Sequence, residues 1–432
     1  MNKQEIFELC QKIAKKEHIE FIYSNNYQEY CDIKKFDLEK IENKENTGLF
    51  IRVIENGQTG TFVITQISEK NILQGIQNAK KIAKLKNNIK INDFGCDKPK
   101  NKTKYKNDIK NIDFSEIMKN TKKQLTKEKY FKAYDGYLSK MVNYNFYVNP
   151  YVSVENNKST LVASTVIVTK DKKPSNGYYK QIFTETKKID IPYVFQQAKE
   201  NAKLLLNPIQ GVPETYDIIL NQDMTAYIIE GLILSATKGE NIEKKDSYLW
   251  DQIGKQTFSK NITIIENPFI DDYAGSSDID DEGFKCTEKK IIEKGVFKHP
   301  IYDQTNAEKY QKKPTGNGFR PSLYSNIMCG YTNILQKPGN QNINDIISKT
   351  KNGIIIYGLM GMHMNKLTTG EFSLTISNAK HIENGKLKDT ITNLNFTGNI
   401  KETFKNAYFS KEQKFFGDSL YSYTILENKK LI

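Results

Sequence analysis

Arginine is nearly missing from this 432-residue sequence: of 64 basic side chains only Arg52 and Arg320 are arginines, and the rest are lysines. A protein that reads bases or phosphates is expected to use arginine forks. The net charge of +13 is therefore read as a lysine-rich solvated surface, and nucleic acid is not an expected partner. Histidine is scarce as well. His18, His299, His363 and His381 stand far apart, so no helix can carry a metal-binding histidine pair, and no metal ligands are expected in this chain. The five cysteines are an odd, scattered set with no C-x-x-C pair, which argues against a disulfide scaffold or a zinc module. No apolar run approaches the ~20 residues of a membrane span. The opening stretch MNKQEIFELCQKIAKK is charged throughout, unlike a secretory leader, and a cytoplasmic protein is expected. The sequence also lacks G-K-[ST] and G-x-S-x-G, so neither a P-loop nor a hydrolase elbow is supported.

What is present is strong patterning. Residues 3–17 place Ile6, Leu9, Cys10, Ile13 and Ala14 on one helical stripe. Extended segments are expected at 18–23, 30–36 and 48–54. A hairpin turns on Asn56-Gly57 into 60–65, and Ser68 caps a helix over 69–85. Residues 86–112 are rich in Lys and Asn and read as a surface loop or linker. A helix is expected over 114–126, then period-2 strands from 130 to 181, then a helix from Asp190 to about Leu206. The second half opens with a strand at 217–220 and an apolar helix through 224–236. It continues as strand-like runs between Gly, Asn and Pro turns, and closes with a helix at 400–408 and a strand at 420–426. The expected fold class is α+β, with a small N-terminal domain over 1–206 and a large, mostly antiparallel, barrel-like β domain over 207–432.

Three segments are candidates for function. In Thr315-Gly316-Asn317-Gly318-Phe319-Arg320 the glycines permit close backbone approach, and Arg320 either clamps a carboxylate or braces a domain contact. In the apolar run 353–361, Gly358 and Gly361 belong either to a buried strand or to an edge that receives an extended peptide by strand addition. The acidic cluster Asp271, Asp272, Asp278, Asp280, Asp281 and Glu282 lacks the spacing of a calcium loop, and its carboxylates are expected to be solvated or to cap neighbouring N–H groups.

Several segments together resemble the TldD/PmbA family, in its PmbA (TldE) branch. They are FDLEKIENKENTGLFIRVIENGQTGTFVIT, IDDEGFKCTEKKIIEKGVFKHPIYDQTNAEK, TGNGFR, GLMGMHMNKLTTGEFSLTISNAKHIENGKL and LNFTGNIKETFKNA, in that order. The resemblance implies a cytosolic protease of two related subunits. One carries H-E-x-x-x-H and zinc, and the other lacks those ligands and helps form a tunnel for unfolded, extended peptide. Here Glu230-Gly231 and Ser235 stand where the zinc motif would be, with no histidine among them. The resemblance thus implies a subunit without catalytic residues, partnered by a TldD-like chain that holds the zinc. Its substrate-binding residues would be Arg320, Asn317, Gly316, Gly358 and Gly361. The competing expectation is a peptide-binding or regulatory module that acts without hydrolysis, alone or as a homodimer.

Overall fold

The computed structural model describes residues 1–432 apart from 86–88, 98–107, 125–129, 171–175 and 272. Helix α1 (Lys3–Glu17) begins in a reciprocal cap. The Glu5 amide donates to Asn2 Oδ1 and the Asn2 amide to Glu5 Oε2, both at 2.9 Å. Strands β1 (Ile19–Lys34), β2 (Asp37–Glu55) and β3 (Gln58–Ile64) follow, and then α2 (Glu69–Leu85), whose Asn71 amide donates to the Ser68 hydroxyl as expected. After α3 (Phe114–Gln124) come β4 (Phe131–Val148), β5 (Ser153–Thr169), β6 (Asn176–Phe183) and α4 (Ile191–Leu204). The expected end of α3 at 126 falls outside the described residues.

The six strands form one antiparallel sheet in the order β3-β2-β1-β4-β5-β6. Its strands are far longer than the apolar pattern indicates. The stretch Ser24–Glu29 is polar, yet it pairs with β2 on one side and β4 on the other, so its backbone groups are satisfied by neighbours rather than by intrinsic strand preference. The expected segments at 18–23 and 30–36 are thus one strand. It turns back through Lys35 and Phe36, both at positive φ.

Side chains alternate across this sheet. Ile19, Phe21 and Tyr23 face α1 and α2 at one end, while Cys31 and Ile33 face α3 and α4 at the other. One face is therefore covered by two pairs of helices, packed around separate apolar clusters. The opposite face is left for the second half of the chain.

That half contributes β7 (Ile209–Gln210), β8 (Thr215–Leu220), α5 (Gln222–Ile228), β9 (Ile264–Glu266), β10 (Lys289–Glu293), β11 (Val296–Phe297), β12 (Gly318–Phe319), β13 (Met328–Cys329) and β14 (Ile334–Gln336). It continues with β15 (Asn352–Met360), β16 (Glu371–Glu383), β17 (Lys386–Thr392), β18 (Leu394–Asn399), β19 (Tyr408–Phe416) and β20 (Ser419–Lys430). A 12-stranded sheet runs β11-β10-β9-β14-β20-β8-β15-β16-β17-β7, with β18 on β16 and β19 on β20. The α+β class and the predominance of antiparallel pairing agree with the sequence. The barrel-like closure does not form: the sheet has two ends, and β14–β20, β8–β15 and β7–β17 pair in parallel. Its core is continuous from Ile218 and Leu220 through Ile354 and Ile356 to Phe404 and Tyr421.

The expected apolar helix at 224–236 is broken into three. Asn221 caps α5, residues Ile229–Leu234 widen into a π-helical turn, and Ser235–Thr237 tighten into a 3₁₀ turn. The described parts of 86–112 are not a detached linker. Ile91 and Phe94 are buried, and the Gly95 amide donates to Glu282 O at 3.2 Å across to the second unit.

Candidate functional site: a polar cavity between the two sheets

The face of the first sheet opposite its helices carries an unusual set of side chains. The strand register sets Asn46, Asn26, Asn143 and Lys158 side by side on β2, β1, β4 and β5. The next row holds Gly48, Ser24, Asn145 and Asn156. With Gln28, these amides and hydroxyls floor a cavity of about 580 Å³, whose far wall is Ile279, Asp280, Asp281 and the segment Arg320–Tyr324. Amides can donate and accept at once, so such a floor suits a ligand with both kinds of group. The Oδ1 atoms of Asn143 and Asn145 are buried without a hydrogen-bond partner among the described residues. A second cavity of about 550 Å³ lies beyond Arg320. It is walled by Phe50, Arg52, Thr59, Thr61, Glu282, Asp303, Thr305 and Ser325.

The wall between the units is held by buried charge. Arg52 is 5% exposed, and its Nη2 donates to Glu20 Oε2 at 2.6 Å. Its Nη1 donates to Gln304 Oε1 at 3.1 Å and lies 3.8 Å from Glu282 Oε1. Tyr147 donates its hydroxyl to the same Glu20 oxygen at 2.7 Å, and the Asn149 amide donates to Tyr147 at 3.0 Å. Burial alone would lower the Arg52 pKa, but Glu20 and Glu282 outweigh it and hold the guanidinium firmly charged. Two further ties cross the interface. Lys158 Nζ donates to Ser276 O at 2.7 Å, and Lys414 sits 4.2 Å above the Tyr179 ring while pairing with Asp223 at 2.9 Å.

Two motifs that are separate in sequence are fastened together here. Asp280 accepts the amides of Glu282 and Phe284 on one oxygen and that of Gly318 on the other, at 2.9–3.0 Å. Asp281 accepts the Arg320 amide at 2.7 Å. The acidic cluster thus uses these two carboxylates on backbone N–H groups, and it shapes the loop that presents Arg320; Asp272 lies outside the described residues. Burial pushes Asp280 and Glu282 well above the ordinary carboxylate range, and each also feels the other's charge or that of Asp281.

The structure places the sequence-derived candidates differently from one another. Arg320 lines both cavities. Gly316 adopts φ +70° where a Cβ would lie 2.2 Å from Lys285 O, so it shapes the loop. Asn317 is fully buried. Its amide donates to both oxygens of Glu266, at 2.9 and 3.1 Å, and to Gly330 O at 2.8 Å, so it braces β12 from within. Gly358 sits at a bulge in β15 where a Cβ would meet Ser377 Oγ at 2.3 Å. Gly361 follows it at φ +102°. Neither glycine lines the two cavities, and Gly353–Ile356 pairs on both sides, with β8 and β16.

Beside Gly361, Met362 packs on Gly231 in the π-helical turn, a form often found where a helix serves a site. Glu230 there accepts the Tyr421 hydroxyl at 2.8 Å, and burial raises its pKa to about 7. As a metal site this turn fails: Glu230 is its one carboxylate, it contains no histidine or cysteine, and among the described residues no three His, Cys, Asp or Glu side chains are grouped to hold an ion.

Fold and site define a class: a two-unit α+β protein that closes a polar cavity between the bare face of one sheet and loops of the other. The chain superposes over 99% of its length on 99% of TldE from Thermococcus kodakarensis, with a TM-score of 0.87 at 20% identity. It is 25% identical over 410 residues to an uncharacterized protein of Methanocaldococcus jannaschii, covering 92% of each. It is 30% identical over 220 residues to a metalloprotease TldD homolog of Buchnera aphidicola, covering 51% of this chain and 45% of that one. Residues 213–431 match the family described as PmbA/TldA metallopeptidase C-terminal domain. The chain belongs to the PmbA/TldD metallopeptidase family.

Proposed function

We propose that this chain is the non-catalytic, TldE-like subunit of a cytoplasmic TldD/TldE-type zinc peptidase, and that it holds unfolded peptide in extended form in the amide-floored cavity. The observation that carries the reading is the double row Asn46-Asn26-Asn143 and Ser24-Asn145-Asn156 beneath a cavity of about 580 Å³. An extended peptide offers alternating N–H and C=O groups, and side-chain amides match both without demanding a sequence. Zinc would reside in the TldD-like partner, where it would lower the pKa of bound water toward ~7. This chain's own residues bind and align: the amides hold the backbone, while the Arg52–Glu20 network keeps the two walls in register.

The test is hydrolysis of an unstructured peptide by this chain, by a TldD-like chain and by their mixture, with zinc measured in each. Cleavage in the mixture, with zinc following the partner, is the expected result. Cleavage by this chain alone overturns the reading. A partner that cleaves equally well without this chain overturns it too, and leaves peptide binding without hydrolysis as the better account.

A further inference from the structure

The two arginines of this lysine-rich chain are used in opposite ways. Arg52 is enclosed by Glu20, Gln304 and Glu282. Arg320 makes no ion pair with any described residue. Its guanidinium lies 3.8 Å from the centre of the Phe50 ring, Nη1 donates to Ser325 O at 3.0 Å, and Nε is buried without a hydrogen-bond partner among the described residues. A guanidinium has five N–H donors, so most of this fork is unused.

The carboxylates around it are engaged elsewhere. Asp281 accepts the Arg320 backbone amide at 2.7 Å rather than its side chain. Glu282 accepts the Gln304 amide at 2.6 Å and faces Arg52. Asp303 accepts the Asn306 amide and side chain at 2.9 and 2.7 Å. Arg320 and Tyr324 are the residues that cross from one cavity wall to the other, lining both spaces. Partial burial pulls the Arg320 pKa down, and the nearby carboxylates of Glu20, Asp281 and Glu282 do not fully offset it.

We propose that Arg320 anchors a carboxylate of the bound peptide, supplied by its C-terminus or by an acidic side chain, at the end of the amide-floored cavity. This rests on the peptide-binding reading above and adds a charge preference to it. A planar carboxylate meets a guanidinium edge through two parallel N–H···O bonds. A lysine cannot form that pair, which accounts for arginine here in a chain that otherwise uses lysine. The Phe50 ring holds the guanidinium plane in place, so little side-chain freedom is lost when the carboxylate arrives.

The experiment titrates the full chain with one short unstructured peptide, labelled at its N-terminus, in four forms: C-terminal acid or amide, each with or without a single glutamate. The wild-type chain is expected to bind a carboxylate-bearing form at least about tenfold more tightly than the form with none. A preference that follows the terminal acid or the glutamate identifies the source. Arg320→Gln should bring the preferred forms down to the level of the uncharged one, and Arg320→Lys should recover only part of the preference. Equal affinity of the wild-type chain for all four forms overturns the carboxylate anchor and leaves the groove intact. Retention of the preference in Arg320→Gln also overturns the anchor. Absence of binding by every form overturns the groove itself and the anchor with it. The wild-type comparison does not depend on a variant folding.

Discussion

Arg52 and Glu20 face each other across neighbouring strands, paired in register, with Nη2 and Oε2 2.6 Å apart and both side chains closed to solvent. Glu20 Oε1 has no hydrogen-bond partner among the described residues, while Oε2 takes the Arg52 charge and the Tyr147 hydroxyl hydrogen bond. Arg52→Gln would leave a buried carboxylate with one hydroxyl donor, and removing one partner of a buried pair costs about 3–5 kcal/mol. Urea unfolding should show a loss of that size, with Arg52→Lys falling between. A loss below about 1 kcal/mol would mean that the buried pair contributes little to the stability of the fold.

Gly316 is the most constrained point of the arginine loop. At φ +70°, with a Cβ position 2.2 Å from Lys285 O, alanine meets both a backbone penalty and a clash. Gly316→Ala should cost about 1–3 kcal/mol and should weaken carboxylate-bearing peptides more than uncharged ones, because the loop presents Arg320. A stable variant with unchanged peptide preference would contradict this.

The pH dependence has a definite sign. Glu230, Asp280 and Glu282 are held above the ordinary carboxylate range in the folded chain, mainly by burial. They return to ordinary values on unfolding, so between those values and the raised ones the folded state binds more protons. Their contribution is whole below the ordinary range and is lost as pH rises, through about 7 for Glu230. The unfolding midpoint in urea should therefore be higher near about pH 5 than near about pH 8, and Glu230→Gln should flatten the slope. A midpoint that climbs with pH would refute the assignment.

The amide floor separates binding from stability. Asn26→Leu and Asn143→Leu sit side by side facing the cavity, where leucine adds apolar surface and removes hydrogen-bonding groups. Peptide affinity should fall about tenfold in the pair of substitutions, with stability changed by less than about 1 kcal/mol. Equal peptide affinity before and after would place the peptide elsewhere.

Much of this was legible in the residues. Helices α1 and α2 carry clear apolar stripes, with Ser68 as a readable cap for α2, and structure follows them closely. Arg320 stood out because the chain avoids arginine. The long polar strands were not legible: nothing in Ser-Asn-Asn-Tyr-Gln-Glu at 24–29 favours a strand until β2 and β4 pair on either side. The amide floor escaped notice for the same reason, since Asn26, Asn46, Asn143 and Asn156 become neighbours only through register. Asn317 shows the reverse error. A Gly-Asn-Gly loop suggests a ligand, whereas its amide is spent on Glu266 and Gly330. The π-helical turn also left no mark, because a wide turn and an α-helix bury nearly the same apolar residues over so short a stretch.

Strand β20 lies between β14 and β8, and among the described strands it alone joins the two halves of the large sheet. It is the twentieth strand in chain order. During synthesis, then, β8 and β15 can pair while β9, β10 and β14 stand apart as a separate ribbon, each exposing an edge. Only when Ser419–Lys430 has left the ribosome can both edges be covered in a single event. The chain must live through its own translation with two open sheet edges, and its dependence on chaperones should be concentrated in that interval.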